Sequence, residues 1–202
     1  MGGDHVQELF ITAPPTVEPL RAVRSTLIIS SIATLRDAGH GALYESALPA
    51  KHHPTILQSV AGMWIPLNAA IAHYEACDSL GLSTESIAEI GRDVGTRIQG
   101  TLLGTVARMA KGAGISPWTV LPQFPRFWSR AYDGGAVVGY RIGPKEARLE
   151  VHKAALCESR YFRLALCGVA TSVLDMFCGK AYMRELAGKR PPGAALFRVQ
   201  WA

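Results

Sequence analysis

Ala136-Val137-Val138-Gly139-Tyr140-Arg141-Ile142 and Ala147-Arg148-Leu149-Glu150-Val151-His152-Lys153 flank the turn Gly143-Pro144-Lys145-Glu146. The two runs read as the strands of a hairpin. In the second, Arg148, Glu150 and His152 alternate with Leu149 and Val151, so one face meets water and the other is buried. Asp133-Gly134-Gly135 supplies the turn that leads in. C-terminal to the hairpin, the sequence predicts a helix over about 156–177. Its apolar stripe is Phe162, Leu166, Val169, Val173, Met176 and Phe177, and Gly179 is its stop. Two more strands follow over about 181–186 and 195–201, the last placing Phe197, Val199 and Trp201 on one face. A hairpin, a long helix and a second hairpin predict an α+β fold. Its antiparallel sheet has about four strands and carries a helical layer on one side.

The N-terminal half is mainly helical in pattern. Residues 1–19 contain Pro14-Pro15 and Pro19 and few core-building residues, which predicts a loosely ordered arm. Residues 20–202 then form a single domain. The apolar stretch Val23 to Leu35 is compatible with strand or helix, while 33–37 reads as helix ended near Gly39. A short helix over 41–48 is stopped by Pro49. Pro66 opens a helix to Leu80, with Gly81 as the stop. Ser83 caps the longest helix, about 84–110. There Ile87, Ile90, Val94, Ile98, Leu102, Val106 and Met109 recur at helical spacing. Gly91 and Gly95 fall near that stripe, and Gly100 and Gly104 fall on the other side. Each costs up to about 1 kcal/mol against alanine, so four of them predict close approach of a second backbone. From Trp118 to Tyr132 two short helical turns are broken at Pro122 and Pro125.

The 202 residues suit one domain, and 49% hydrophobic content is ample for its core. Charged residues are only 18%, below the roughly 25% of ordinary soluble chains, which points to an interface or an internal cavity. The net charge of +5 is scattered, with Lys189-Arg190 the densest basic cluster, so nucleic acid is not an expected partner. Met1 to His5 has neither a basic stretch nor an apolar run, and Val6 stands where a myristoylation signal wants Ser or Thr. The uncharged run Leu164 to Leu174 is too short to cross a bilayer. A cytoplasmic protein without a membrane span is expected.

No nucleophile elbow, phosphate loop or dinucleotide motif is present. Cys77, Cys157, Cys167 and Cys178 form no C-x-x-C pair and read as free thiols. Cys167 and Cys178 share a helix face but lie roughly 16 Å apart along it, too far for one metal ion. Adjacent His52 and His53 point to opposite sides of an extended segment. His73 stands alone on an apolar helix, where a histidine is either a hydrogen-bonded core residue or an axial haem ligand. The remaining concentration is aromatic: Trp64, Tyr74, Trp118, Phe124, Phe127, Trp128, Tyr132 and Tyr140. Such residues line apolar ligand pockets or fill the core beneath a sheet. No residue set names a reaction, so the domain is not expected to be an enzyme.

Pro125-Arg126-Phe127-Trp128-Ser129-Arg130-Ala131-Tyr132-Asp133-Gly134-Gly135 leading into a hairpin, the helix start Ala155-Leu156-Cys157-Glu158 and the closing Phe197-Arg198-Val199-Gln200-Trp201 carry a resemblance. Their order is similar to an uncharacterised bacterial family of the myxobacterial type. That family is akin to the ligand-binding fold of haem nitric-oxide sensors, vinyl-reductase-type domains and TRAPP tethering subunits. The resemblance spans about Val23 to Trp201. It implies helices over an antiparallel sheet, a hydrophobic ligand cavity and a homodimer. The haem sensors' Tyr-x-Ser-x-Arg motif begins at Tyr44-Glu45-Ser46 but ends on Leu48, and no cysteines precede the last strand. The expected cofactor is therefore none, and no metal site is expected. The resulting expectation is a non-catalytic sensor for a small hydrophobic molecule or lipid, acting through a partner. Its candidate wall is Trp64, His73, Tyr74, Trp128 and Tyr132, with Arg126 as anchor for an acidic group. A dimeric interaction module without ligand is the alternative that low charge and Gly100/Gly104 favour. A haem-based gas sensor using His73 is the third reading.

Overall fold

The computed structural model describes residues 8–99 and 116–202. The predicted hairpin is present as β5 (Ala136–Gly143) and β6 (Glu146–His152), preceded by β1 (Glu8–Ile11) and followed by β7 (Ala181–Glu185) and β8 (Ala195–Trp201). These five strands form one antiparallel sheet in the order β1-β5-β6-β8-β7. The expectation of about four strands is corrected by β1. Glu8–Ile11 adds to the free edge of β5, a long-range pairing with no local signal in so short a run. The alternation read from the sequence holds. In β6 Ala147, Leu149 and Val151 are buried, and in β8 Phe197, Val199 and Trp201 are. On the other face of β6, Glu150 holds both Arg148 and His152.

A second, three-stranded sheet joins β2 (Ala22–Arg24), β3 (Trp64–Pro66) and β4 (Tyr132–Asp133) in the order β3-β2-β4. Its short strands start or end helices. The ambiguous Val23–Leu35 stretch resolves as β2 running into α1 (Ser25–Asp37). Ser25 ties this junction together: its hydroxyl donates to the Val60 carbonyl at 2.7 Å and accepts from Met63 N–H at 3.0 Å. Gly134, at φ +97°, turns the chain from β4 towards β5 against the Pro19 carbonyl. A Cβ there would stand 2.2 Å from that oxygen, so only glycine fits.

α2 (Gly41–Ala47) and α4 (Leu67–Asp78) end before their predicted stops at Pro49 and Gly81. The segment expected to be extended at His52 and His53 is instead helical: His52 closes a 3-10 turn and His53 opens α3 (His53–Leu57). α5 spans Thr84–Gln99. Its expected continuation to residue 110, with Gly100 and Gly104, lies outside the described residues. α6 (Phe124–Ala131) carries Pro125 in its first turn, where a missing N–H costs nothing, so this proline starts the helix rather than breaking it. α7 (Arg160–Leu174) begins at Ser159, whose hydroxyl accepts from Phe162 N–H. α7 packs on β7, α5 packs along α7, and α1 packs on α5, so the helices form the layer over the sheet. Arg92 of α5 meets Asp175 at the end of α7 at 3.0 Å, and the other oxygen of Asp175 accepts from Ala181 N–H at 2.6 Å. One carboxylate thus ties the helix pair to the start of β7. Among the described residues no helix is long and apolar enough to cross a membrane.

Candidate functional site

α6 and α7 do not close completely on each other. A space of about 80 Å³ lies between α1, α6, α7 and β5. Its walls include Leu27, Phe124, Phe127, Trp128, Tyr132 and Leu166. A second space of about 30 Å³ adjoins it, sharing Leu27, Tyr132, Leu166 and Val169 and reaching Ser31, Tyr74 and Tyr161. The larger space is walled almost wholly by carbon. The smaller one brings in hydroxyl groups. Ser31 and Tyr161 share a hydrogen bond of 3.2 Å. The hydroxyls of Tyr74 and Tyr132 have no hydrogen-bond partner among the described residues, although both side chains are buried. Burial raises the pKa of Tyr74, Tyr132 and Tyr161 above the usual phenol value, so each keeps its proton and can donate it to a guest.

Three of the six candidate residues come together here. Trp128 stacks on Tyr132 at 4.2 Å between ring centroids, and its indole N–H donates to the Gly134 carbonyl at 2.8 Å. Tyr74 meets Phe162 edge-on at 5.2 Å, and Phe162 meets Tyr132 at 6.0 Å. The other three lie elsewhere. Trp64 is at the surface beneath the Arg24 guanidinium, 3.9 Å from its ring. Arg126 is exposed and donates to Gln123 Oε1 at 3.2 Å. His73 is fully buried behind Tyr74 and lines neither space. Its Nδ1 shares a 2.7 Å hydrogen bond with the Tyr44 hydroxyl, and its Nε2 lies 3.8 Å from Cys77 Sγ. It is the hydrogen-bonded core residue of the two alternatives the sequence offered. The sequence reading missed Ser31 and Tyr161. Both sit within apolar helical runs, and nothing local distinguishes a hydroxyl that faces a cavity from one bonded to its own helix.

Among the described residues no cluster of histidine, cysteine or carboxylate groups could hold a metal ion. Cys77, Cys157 and Cys167 are buried free thiols, each with its pKa raised by burial, so they are neither ligating nor nucleophilic as they stand.

No family model matches the chain. No curated protein matches it. Solved structures do. An oxygen-binding H-NOX domain related to soluble guanylate cyclases superposes with TM-score 0.57 at 13% identity, over 88% of this chain and 94% of that one. A point variant of the T. tengcongensis H-NOX domain gives 0.56 at 13%, over 88% and 97%. A domain solved to probe haem distortion in the H-NOX family gives 0.57 at 13%, over 88% and 94%.

These neighbours correct the expectation that the domain has no cofactor: the superposed domains include haem proteins, so haem is the group the site is measured against. Two observations bear on the fit. Among the described residues, the walls of both spaces hold no histidine, cysteine or methionine, which leaves tyrosine as the iron-ligand type facing them there. The larger space, at about 80 Å³, is below the roughly 300–1,000 Å³ that a ligand of that size occupies. As packed, the described residues do not seat a haem; α6 and α7 would have to part to admit one. What the superpositions establish is architectural: this chain has the H-NOX-like fold, an antiparallel sheet under a helical layer.

Proposed function

We propose that this chain is a ligand-binding sensor domain without catalytic activity, with its ligand held between α1, α6 and α7. The observation that carries the reading is the apolar space walled by Trp128, Tyr132 and Leu166, with unpaired tyrosine hydroxyls at its edge. A guest with an apolar body and one hydrogen-bonding group would satisfy them. Its arrival would push α6 from α7, and α6 continues directly into β4 and β5, so occupancy would be felt at the sheet.

Haem-based gas sensing is the form of this reading that the fold neighbours favour, since the domains that superpose on the chain are haem and oxygen binders. Two measurements on freshly purified protein separate the possibilities. A Soret band, present at once or after incubation with haem and saturating at one haem per chain, assigns the haem form. Excess mass in native mass spectrometry without that band assigns a directly bound apolar molecule. A chain that carries nothing, takes up no haem and shows no saturable uptake of an apolar fluorescent probe overturns the sensor reading altogether.

A further inference from the structure

Among the described residues six large apolar side chains are exposed, and three of them crowd into one loop: Val60 at 65%, Met63 at 50% and Trp64 at 39%. Ala61 and Gly62 between them are exposed as well. The loop is nonetheless firmly held. Ser25 N–H donates to the Met63 carbonyl at 2.9 Å, and the Ser25 hydroxyl bridges Val60 and Met63. Gly62 N–H donates to Thr26 Oγ1 at 3.2 Å, and the Gly62 carbonyl accepts from Arg24 Nη1 at 2.6 Å. Trp64 then pairs with Arg24 where β3 joins β2. These backbone groups are spent inward on β2 and the start of α1, while the apolar side chains are left outside. Such an arrangement meets the condition for entering hydrocarbon, where an unmet N–H or carbonyl has no water to turn to.

The second observation is charge. Three segments meet at Trp64. Residues 46–74 hold the loop and β3, and residues 19–36 hold β2 with Arg24. Residues 116–132 hold α6, whose Arg130 carbonyl accepts from Arg24 Nε at 3.2 Å. All 16 Asp and Glu residues of the chain lie outside these segments, which carry Arg24, Lys51, Arg126 and Arg130. Asp133, on the far side of β2, is taken by Arg21 at 2.9 Å, and Glu18 also acts on Arg21. Arg24 sits 3.9 Å over the Trp64 ring and donates to carbonyls, so among the described residues no carboxylate cancels its charge. A protein partner is read through hydrogen bonds, and this loop has spent its own. An anionic lipid surface asks only for apolar side chains and positive charge. We propose that this loop docks the domain on an anionic membrane surface, with Val60, Met63 and Trp64 entering at headgroup level and Arg24 meeting phosphate. Tryptophan suits that depth, because its ring is apolar and its N–H is polar. The docking is peripheral and does not depend on what the inner space holds.

Cosedimentation of the full chain with vesicles tests this, using phosphatidylcholine alone and phosphatidylcholine with about one third phosphatidylglycerol. The mixed vesicles are expected to bind the chain about ten-fold more tightly than the neutral ones, and salt should narrow the difference. The double substitution Met63→Ser, Trp64→Ser should weaken mixed-vesicle binding about ten-fold or more, and Arg24→Gln about five-fold. Tyr182→Ser is the control: that ring is also exposed and also lies under a cation, Lys180, but it stands on β7, and binding should not change. Lipids brominated on the acyl chain should quench part of the tryptophan fluorescence. Trp64→Phe should abolish that quenching while keeping binding, because Trp118, Trp128 and Trp201 pack against other rings of the domain. This readout stands even where the serine variant is unstable. Absence of vesicle binding, binding unchanged by the serine pair, or quenching that persists in Trp64→Phe each overturns the proposal. A dimer that the serine pair abolishes, with no vesicle binding, would give the loop to a second copy of the chain instead.

Discussion

Acidifying the protein from neutral pH is expected to remove up to about 4 kcal/mol of stability through His73 alone. The imidazole is fully buried among Tyr44, Tyr74 and Cys77, all neutral, with no carboxylate against it among the described residues. Burial therefore holds its pKa down to about 3. In the unfolded chain the same group titrates near 6.5. Between those values the unfolded state binds a proton that the folded state refuses. The stability is complete above about pH 6.5 and drains away as pH falls towards 3, with about 2 kcal/mol gone near pH 5. Domains have only about 5–15 kcal/mol to lose, so this is a large share. Urea midpoints measured across that range should show the slope. His73→Gln keeps a hydrogen bond to Tyr44 and should flatten it, at some cost near neutral pH. A His73 ring proton that titrates by NMR with an ordinary histidine midpoint in the folded protein would refute the account.

The same residue shows where sequence reading stops. Strands β6 and β8 were legible because their alternation is strict, as with Leu149 and Val151 on one side and Arg148 and Glu150 on the other, and β5 because a short turn joins it to β6. Helix stops at Gly39 and Gly81 were legible because positive φ is a local demand. β1 was not, since four residues that pair across the whole chain carry no periodic signal. Of the candidate wall, Tyr74, Trp128 and Tyr132 face the space and Trp64 does not. The difference is whether an aromatic side chain points inward from α4 or outward from a three-residue edge strand, which only the tertiary register decides. The same distinction places Arg126: on a helix of eight residues it falls on the solvent side, while Trp128 and Ala131 are buried.

The cofactor question turns on the same distinction between local pattern and packing. The incomplete Tyr44-Glu45-Ser46-Ala47-Leu48 segment weighed against haem in the sequence. In the fold, Tyr44 is the partner of His73 and wholly buried in the core. It is therefore a structural residue here whatever the segment's likeness, and its presence or absence from a motif carries no information about a haem. What the fold does carry is the shape shared with haem domains, and that shape makes the absorption spectrum the first measurement to take.

Gly168→Ala is expected to destabilise the protein by about 3 kcal/mol, although alanine is the better helix former by up to about 1 kcal/mol. The two effects oppose each other, and geometry decides between them. A Cβ at Gly168 of α7 would stand 2.1 Å from the Ala88 carbonyl oxygen of α5. The contact is reciprocal: a Cβ at Gly91 would stand 2.2 Å from the Ala165 carbonyl oxygen, and one at Gly95 would stand 2.0 Å from Ser172 Oγ. At Gly168 and Gly91 the obstacle is backbone, which cannot swing aside, so the helices must separate and uncover Ile90 and Val94, which lie against Ala165 and Val169. For a chain of this size 3 kcal/mol corresponds to a drop of roughly 6–12 °C in Tm. Gly95→Ala should cost less, because a serine side chain can rotate away. Gly179→Ala, where nothing lies within 4 Å, is the control and should stay within about 0.5 kcal/mol of the parent. Because α7 also walls the internal space, a Gly168→Ala protein that remains folded should bind any guest of that space differently from the parent. A Gly168→Ala midpoint equal to or above the parent's would mean that α5 and α7 do not approach as closely as their backbones do here, and the wall they build would have to be redrawn with them.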